Sequence, residues 1–197
     1  MLDVINKKVK QMHLALDNLT NPDLTDIEPH SGRIKTGFYY GVDFNQGKSE
    51  AELANTASLL IANIASIKDH LKAWCKRENK QFEGETFIDS NIDVAIIHDL
   101  WNIDKHAELN RKPRSGKLPK LKNLVQRLNA TGGSVVFRID PETGKMISET
   151  TGNVSLSIDA EVVDEHGNKI GDFAAICENA TAAWENELIS AGIPIAT

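Results

Sequence analysis

The chain has 197 residues, 41% hydrophobic and 25% charged, with a net charge of −6 and two cysteines. That composition is globular and excludes an intrinsically disordered chain. No apolar run approaches the roughly 18 residues of a membrane span, and the absence of a Cys/His ligand cluster argues against a zinc site.

The first element is a helix over about Asp3–Leu19, in which Ile5, Val9, Met12, Leu16 and Leu19 form an amphipathic stripe. This segment carries charges and has no continuous apolar core, so it reads as a helix rather than a secretory signal. Asn21-Pro22 stops it, and a polar, turn-rich segment runs to about Lys48, with Phe38, Tyr39 and Tyr40 expected against the core. Ser49 and Glu52 make a capping box that opens the longest helix. Its buried stripe is Leu53, Leu60, Ile64, Ile67, Leu71 and Trp74, and it ends near Asn79. A loop, KQFEGETFID, leads to a helix over Ser90–Leu109, with Ser90 and Asp93 as a second capping box. Val94, Ile97, Leu100 and Trp101 make that helix apolar around most of its circumference, which places it centrally. Cys75 and Cys177 sit among apolar neighbours and are expected as buried, reduced thiols.

Pro113, Gly116 and Pro119 make Asn110–Lys120 a loop, and a short helix over Leu121–Leu128 is predicted after it, ended by Gly132-Gly133. The pattern then turns to period two. Val135, Phe137 and Ile139 alternate with Ser134, Val136 and Arg138, and Asp140-Pro141-Glu142-Thr143-Gly144 is a hairpin turn. A short strand over Lys145–Glu149 follows, then a longer half-buried one through Val154, Leu156, Ile158, Ala160 and Val162. Glu165–Asn168 turns into Lys169–Gly171, and Asp172 is placed to cap a last helix whose inner face is Phe173, Ile176, Cys177, Ala180, Trp184 and Leu188. The expected fold is α+β: an N-terminal helical bundle, a small antiparallel β-meander and a C-terminal helix. The chain reads as one domain over 1–197, with 1–130 mainly helical and 131–197 made of β-hairpins and the terminal helix.

Two features point toward function. The first is a polar stripe on the apolar central helix. At about 100° per residue, Asp99, Asn102 and His106 fall within roughly 60° of one another, beside Ile92, Ile96 and Ile103. His98 and Lys105 occupy a neighbouring sector, and His70 on the long helix is within reach if the two helices pack antiparallel. Such groups form a buried hydrogen-bonded network, a binding or catalytic cluster, or, through His98, Asn102 and His106, a metal site. Asn is a poor ligand and Lys105 opposes a cation, so no metal is expected. No phosphate-loop or dinucleotide pattern is present either, and no cofactor is expected.

The second feature is charge segregation. Between Leu109 and Ile139 there is no Asp or Glu, and Arg111, Lys112, Arg114, Lys117, Lys120, Lys122, Arg127 and Arg138 give that stretch +8, leaving the remainder at −14. Arg111, Lys112, Arg114, Lys117 and Lys120 are the candidate anion-binding residues, facing either the acidic remainder of the chain or a phosphate-bearing partner such as RNA. No aromatic residue lies between Arg111 and Leu128, which argues against base stacking.

The segment HDLWNIDKH, late in a central helix, resembles the HEPN domains of bacterial RNA-cutting and defence proteins, and uncharacterised bacterial proteins with a DLxNxxKH segment. The resemblance covers residues 50–110. It implies a helical interaction module and a homodimer; the reduced cysteines, together with the missing secretory signal and apolar span, make a cytoplasmic, membrane-free setting the expectation. The Arg-x4–6-His pair of active HEPN ribonucleases is absent, so the resemblance implies a non-catalytic or diverged member. A diverged ribonuclease would use His106 as acid/base, Lys105 or Arg111 on phosphate charge, and Asp99 to orient the imidazole, with Asn102 beside them. A purely structural assembly subunit is the third reading.

Overall fold

The computed structural model describes residues 2–20, 29–42, 48–106, 109, 111–143 and 146–194. Five helices occur among them: α1 (Leu2–Thr20), α2 (Glu50–Arg77), α3 (Gly84–Ser90), α4 (Ile92–His106) and α5 (Phe173–Ser190). Five strands accompany them: β1 (Pro29–Ile34), β2 (Gly37–Val42), β3 (Lys120–Ile139), β4 (Met146–Val163) and β5 (Lys169–Asp172). β1 and β2 form an antiparallel hairpin, and β3, β4 and β5 form an antiparallel sheet in that order. Helices first, then an antiparallel sheet and a closing helix, is an α+β fold. No helix among the described residues is long and apolar enough to cross a membrane.

The helices form where their sequences direct. Ser49 and Glu52 make the reciprocal capping box, with Glu52 N–H donating to Ser49 Oγ at 3.3 Å and Ser49 N–H to Glu52 Oε2 at 2.7 Å. Acidic Glu50 and Glu52 begin α2, and basic Lys76 and Arg77 end it, matching the helix dipole at both ends. Along α4 every residue from Val94 to Leu100 is buried, as its all-round apolar character requires. One cluster of buried apolar side chains joins Ile5, Val9 and Met12 of α1, the inner faces of α2, α4 and α5, and Ile158, Ala160 and Val162 of β4. Phe173, Ile176, Cys177, Ala180, Trp184 and Leu188 of α5 all lie in it. Both cysteines are free and buried.

Several local expectations are corrected. The segment expected to be turn-rich contains the β1–β2 hairpin. Asn21-Pro22 and the side chains of Leu19, Phe38, Tyr39 and Tyr40 lie outside the described residues, as do Ala107, Glu108, Asn110, Gly144 and Lys145. Part of the KQFEGETFID loop is helix α3. Ser90 is not the cap of α4: its hydroxyl donates back to Phe87 O at 2.9 Å, and Asn91 Oδ1 accepts from Val94 N–H at 3.2 Å. Asp172 precedes α5 without a side-chain cap, because its carboxylate pairs with Lys169 Nζ at 2.6 Å.

The largest correction is the helix predicted over Leu121–Leu128, which is strand. β3 holds two single-residue insertions relative to β4, one between Lys122 and Val125 and one between Thr131 and Ser134. At the first, Asn123 takes the left-handed φ of 57° and its amide donates to Glu161 Oε2 at 2.8 Å. The inserted residue moves the inner face from Leu121 to Leu124, Gln126 and Leu128, and that spacing imitates a helical stripe. The predicted helix before Gly132-Gly133 and the strand after it are one continuous strand, β3, and the two strand segments predicted on either side of Gly152 are one strand, β4. Asp140 organises the hairpin turn, accepting from Glu142 N–H and Thr143 Oγ1, both at 2.8 Å.

Opposite the second insertion, Gly152 has φ +69°, and a Cβ there would lie 2.5 Å from Gly132 O and 2.8 Å from Gly133 Cα. Gly152→Ala should therefore destabilise the fold by about 1–3 kcal/mol. Gly132→Ala, whose Cβ has nothing within 4 Å, should cost about 1 kcal/mol through φ alone. Urea midpoints of the two variants check the difference; equal losses would place the constraint elsewhere.

Candidate functional site

The site is built where α4 meets the basic loop. Asp99 is fully buried in the middle of α4. A carboxylate there requires donors, and they come from the loop that follows the helix. Oδ1 accepts from Arg114 N–H at 3.0 Å, and Oδ2 accepts from Ser115 N–H at 2.9 Å and Ser115 Oγ at 2.8 Å. The loop can present two consecutive N–H groups because Pro113 to Gly116 is a tight turn, closed by Gly116 N–H on Pro113 O at 3.1 Å.

The same turn sends the Arg114 side chain inward. That side chain is 10% exposed, and its guanidinium bridges Asp89, Nη1 to Oδ1 at 2.5 Å, and Glu85, through Nη2. Glu85 also meets Lys68 Nζ of α2 at 3.2 Å. Burial alone would raise the Glu85 carboxyl, but Arg114 and Lys68 hold it below the usual carboxylate range. Burial likewise opposes the Arg114 charge, and Asp89 and Glu85 more than offset it. Arg114 thus ties the loop to α3, while Asp99 ties it to α4.

His98 lies one residue before the anchor, 2% exposed. Its ring is edge-on to Trp101 and Trp184, with centroids 6.1 and 6.3 Å away. Burial, reinforced by the positive charges of Lys68 and Arg114, pushes its pKa from 6.5 down to about 3. Its Nε2 meets no hydrogen-bond partner among the described residues.

The predicted polar stripe is not one network. Asn102 is half-buried and donates Nδ2–H to His98 O at 2.8 Å, a bond within its own helix. Lys105 is exposed and lies over the Trp101 ring, 5.3 Å from its centroid. His106 is exposed at the last residue of α4. No hydrogen bond joins Asp99, Asn102, Lys105 and His106 to one another among the described residues, and Asp99 gives its oxygens to the loop rather than to an imidazole. His70 faces Lys8 of α1, whose charge, after burial, lowers its pKa. Among the described residues no group of three or more His, Cys, Asp or Glu could hold a metal ion.

Of the five candidate anion-binding residues, Arg114 is occupied internally, whereas Arg111, Lys112, Lys117 and Lys120 are exposed. Those four enter no ion pair among the described residues. Beside them opens a cleft of about 500 Å³. Ile103, Leu109, Pro113 and Leu118 form its apolar lining, with Arg111, Lys120 and Glu165 completing it. Glu165 Oε2 accepts from Leu118 N–H at 3.0 Å, a third tether on the loop.

Sequence reading missed Glu85, Asp89, Ser115, Glu165 and the burial of His98. The spacing of Glu85 and Asp89, one helical turn apart, is a signal for a shared cation. Ser115 and Glu165 carry no local signal, because their partners lie 16 and 47 residues away. Compared with protein-family models, with curated proteins and with solved structures, the chain matches none of them.

Two predictions follow from the anchor and from its buried neighbour. Asp99→Ala should cost about 3 kcal/mol, because two loop N–H groups lose a charged acceptor. Hydrogen exchange at Arg114 and Ser115 should accelerate in that variant, while Asn102→Ala should cost about 1 kcal/mol or less. Denaturant titration with amide exchange checks both; an Asn102 loss equal to that of Asp99 would restore the single-network description. For His98, the folded pKa of about 3 lies below the ordinary 6.5, so on acidification the unfolded chain takes up the proton first. Its contribution is complete above about pH 6.5 and is lost as pH falls toward 3, about 2 kcal/mol of it between pH 7 and pH 5. His98→Phe should flatten the pH profile of unfolding by that amount; a parallel profile would show that the imidazole is not buried neutral.

Proposed function

We propose that this chain is an interaction module that engages an anionic partner through the loop 111–120. The supporting observation is that a buried carboxylate, an internal arginine bridge and Glu165 fix a loop whose remaining cations, Arg111, Lys112, Lys117 and Lys120, are exposed and enter no ion pair among the described residues. Loops held in this way by a rigid scaffold are where binding residues concentrate. A preformed loop also loses little conformational entropy on association. The overall charge of −6 disfavours indiscriminate polyanion binding, so the recognition is local to this face.

The likeness to HEPN-like domains belongs to this proposal in its non-catalytic form. A binding role is favoured over cleavage because Asp99 is committed to the loop and His106 stands exposed at the helix end with no carboxylate orienting it among the described residues. A base held by a third group is a common signature of acid/base and nucleophilic sites.

The test is binding of a single-stranded RNA oligonucleotide and of polyglutamate, followed by fluorescence anisotropy across a salt series. Lys112→Glu and Lys117→Glu should each weaken binding about tenfold at low salt and reduce the salt slope. Lys72→Glu on α2 should leave both unchanged. If the wild-type chain binds neither polyanion at low salt, the proposal fails and a structural assembly role takes its place.

A further inference from the structure

The cleft beside the loop combines two chemistries. Its interior is aliphatic: Ile103 from the end of α4, Leu109 and Pro113 from the loop, and Leu118 just before β3. All four are half-buried, so each keeps apolar surface in contact with solvent. Arg111 and Lys120 line the same cleft, are exposed and enter no ion pair among the described residues, and Glu165 adds one carboxylate. At about 500 Å³ the space lies within the range of ligand sites, which are largely apolar with a few placed polar groups. It exceeds what one aliphatic side chain fills.

We propose that this cleft receives an acidic peptide segment of a partner protein, with an aliphatic side chain on the Ile103–Leu118 lining and a neighbouring carboxylate against Arg111 and Lys120. The proposal rests on the anion-binding reading above and names the partner's chemistry. Three features favour a peptide over a nucleic acid. The lining is aliphatic and offers no aromatic face for a base to stack on. Glu165 repels a continuous run of phosphates, but it accepts hydrogen bonds from peptide N–H groups, as it already does from Leu118. The charge available, two cations against one carboxylate, suits one or two acidic side chains rather than a polyanion. In an extended peptide, residues two apart lie on one side at about 7 Å, which lets an apolar and an acidic side chain enter together.

The experiment uses the full chain with isotope-labelled backbone amides and labelled isoleucine and leucine methyl groups, both observed by NMR. Three probes are titrated: a blocked ten-residue peptide of alternating leucine-rich and glutamate-rich composition, the same peptide with serine for leucine, and an oligouridylate of equal charge. The leucine peptide should shift the methyls of Ile103 and Leu118 saturably and bind about tenfold more tightly than the serine peptide. Arg111→Glu should weaken the leucine peptide about tenfold with the remaining methyl spectrum retained, which reports an intact fold. Ile103→Ser should bring the leucine peptide to the affinity of the serine peptide without changing the latter. Equal affinity for the two peptides, or shifts of the Ile103 and Leu118 methyls by the oligouridylate alone, overturns the peptide assignment. If the charged probes move only the amides of Lys112 and Lys117 and no probe reaches the cleft methyls, the loop still binds anions and the cleft assignment alone fails. Silence from every probe overturns both.

Discussion

A fully buried carboxylate at the centre of α4 constrains everything around it. The helix cannot supply donors to Asp99, since its own N–H groups are engaged in the backbone ladder. Water is excluded by the flanking apolar residues. The donors must come from another segment, and the chain returns Arg114 and Ser115 to provide them. That requirement sets the turn at Pro113–Gly116. The turn determines that Arg114 points inward toward Glu85 and Asp89, and its neighbours are left facing out. The position of the exposed cations is thus a consequence of satisfying one buried charge.

The basic stretch therefore holds two kinds of cation. Arg114 joins α3 to the loop, and Arg127 and Arg138 are paired across the β3–β4 ribbon with Asp159 and Glu149. Exposed pairs of the latter kind contribute little to stability. Arg111, Lys112, Lys117 and Lys120 of the loop have no such partner among the described residues, and the proposed anionic partner would meet them there. The excess of +8 that the sequence displays is in this way divided between internal cohesion and a smaller outward face. The cleft between that face and the end of α4 adds apolar surface to it, and the combination is selective in a way that charge alone is not.

Helices α1, α2, α4 and α5, the inner face of α5 and the Asp140 turn were legible because each is specified by residues close in sequence: a cap, a period, a turn motif; α3, a single short segment read as loop, was not. The burial of α4 was legible for the same reason. The role of Asp99 was only half legible. Its place on an apolar face marks it as needing partners, but nothing local tells a buried network from an exposed cluster, and the partner segment lies fifteen residues on. Asn102 and His106 share its helical phase, yet the helix leaves the core before reaching His106. Periodicity describes direction around an axis and says nothing about where along that axis the neighbours end. β3 was misread because an inserted residue at Asn123 turned a two-residue repeat into a pattern of three and four.

The two insertions in β3 also have an arithmetic consequence. Each one exchanges the odd and even positions of the strand between its two faces, and two of them restore the original assignment. Leu121 before the first and Val135 and Phe137 beyond the second are all odd-numbered and half-buried, while Gln126 between them is even-numbered and buried. Residues paired across an antiparallel ladder share a face, so the β4 partner decides which way each β3 side chain points. Loss of the extra residue at either point would leave Val135 opposite Thr150 and Phe137 opposite Ser148, on the face they now occupy, and would remove only the local irregularity. The two irregular points are therefore the places where this strand can change length by one residue without turning its apolar side chains over.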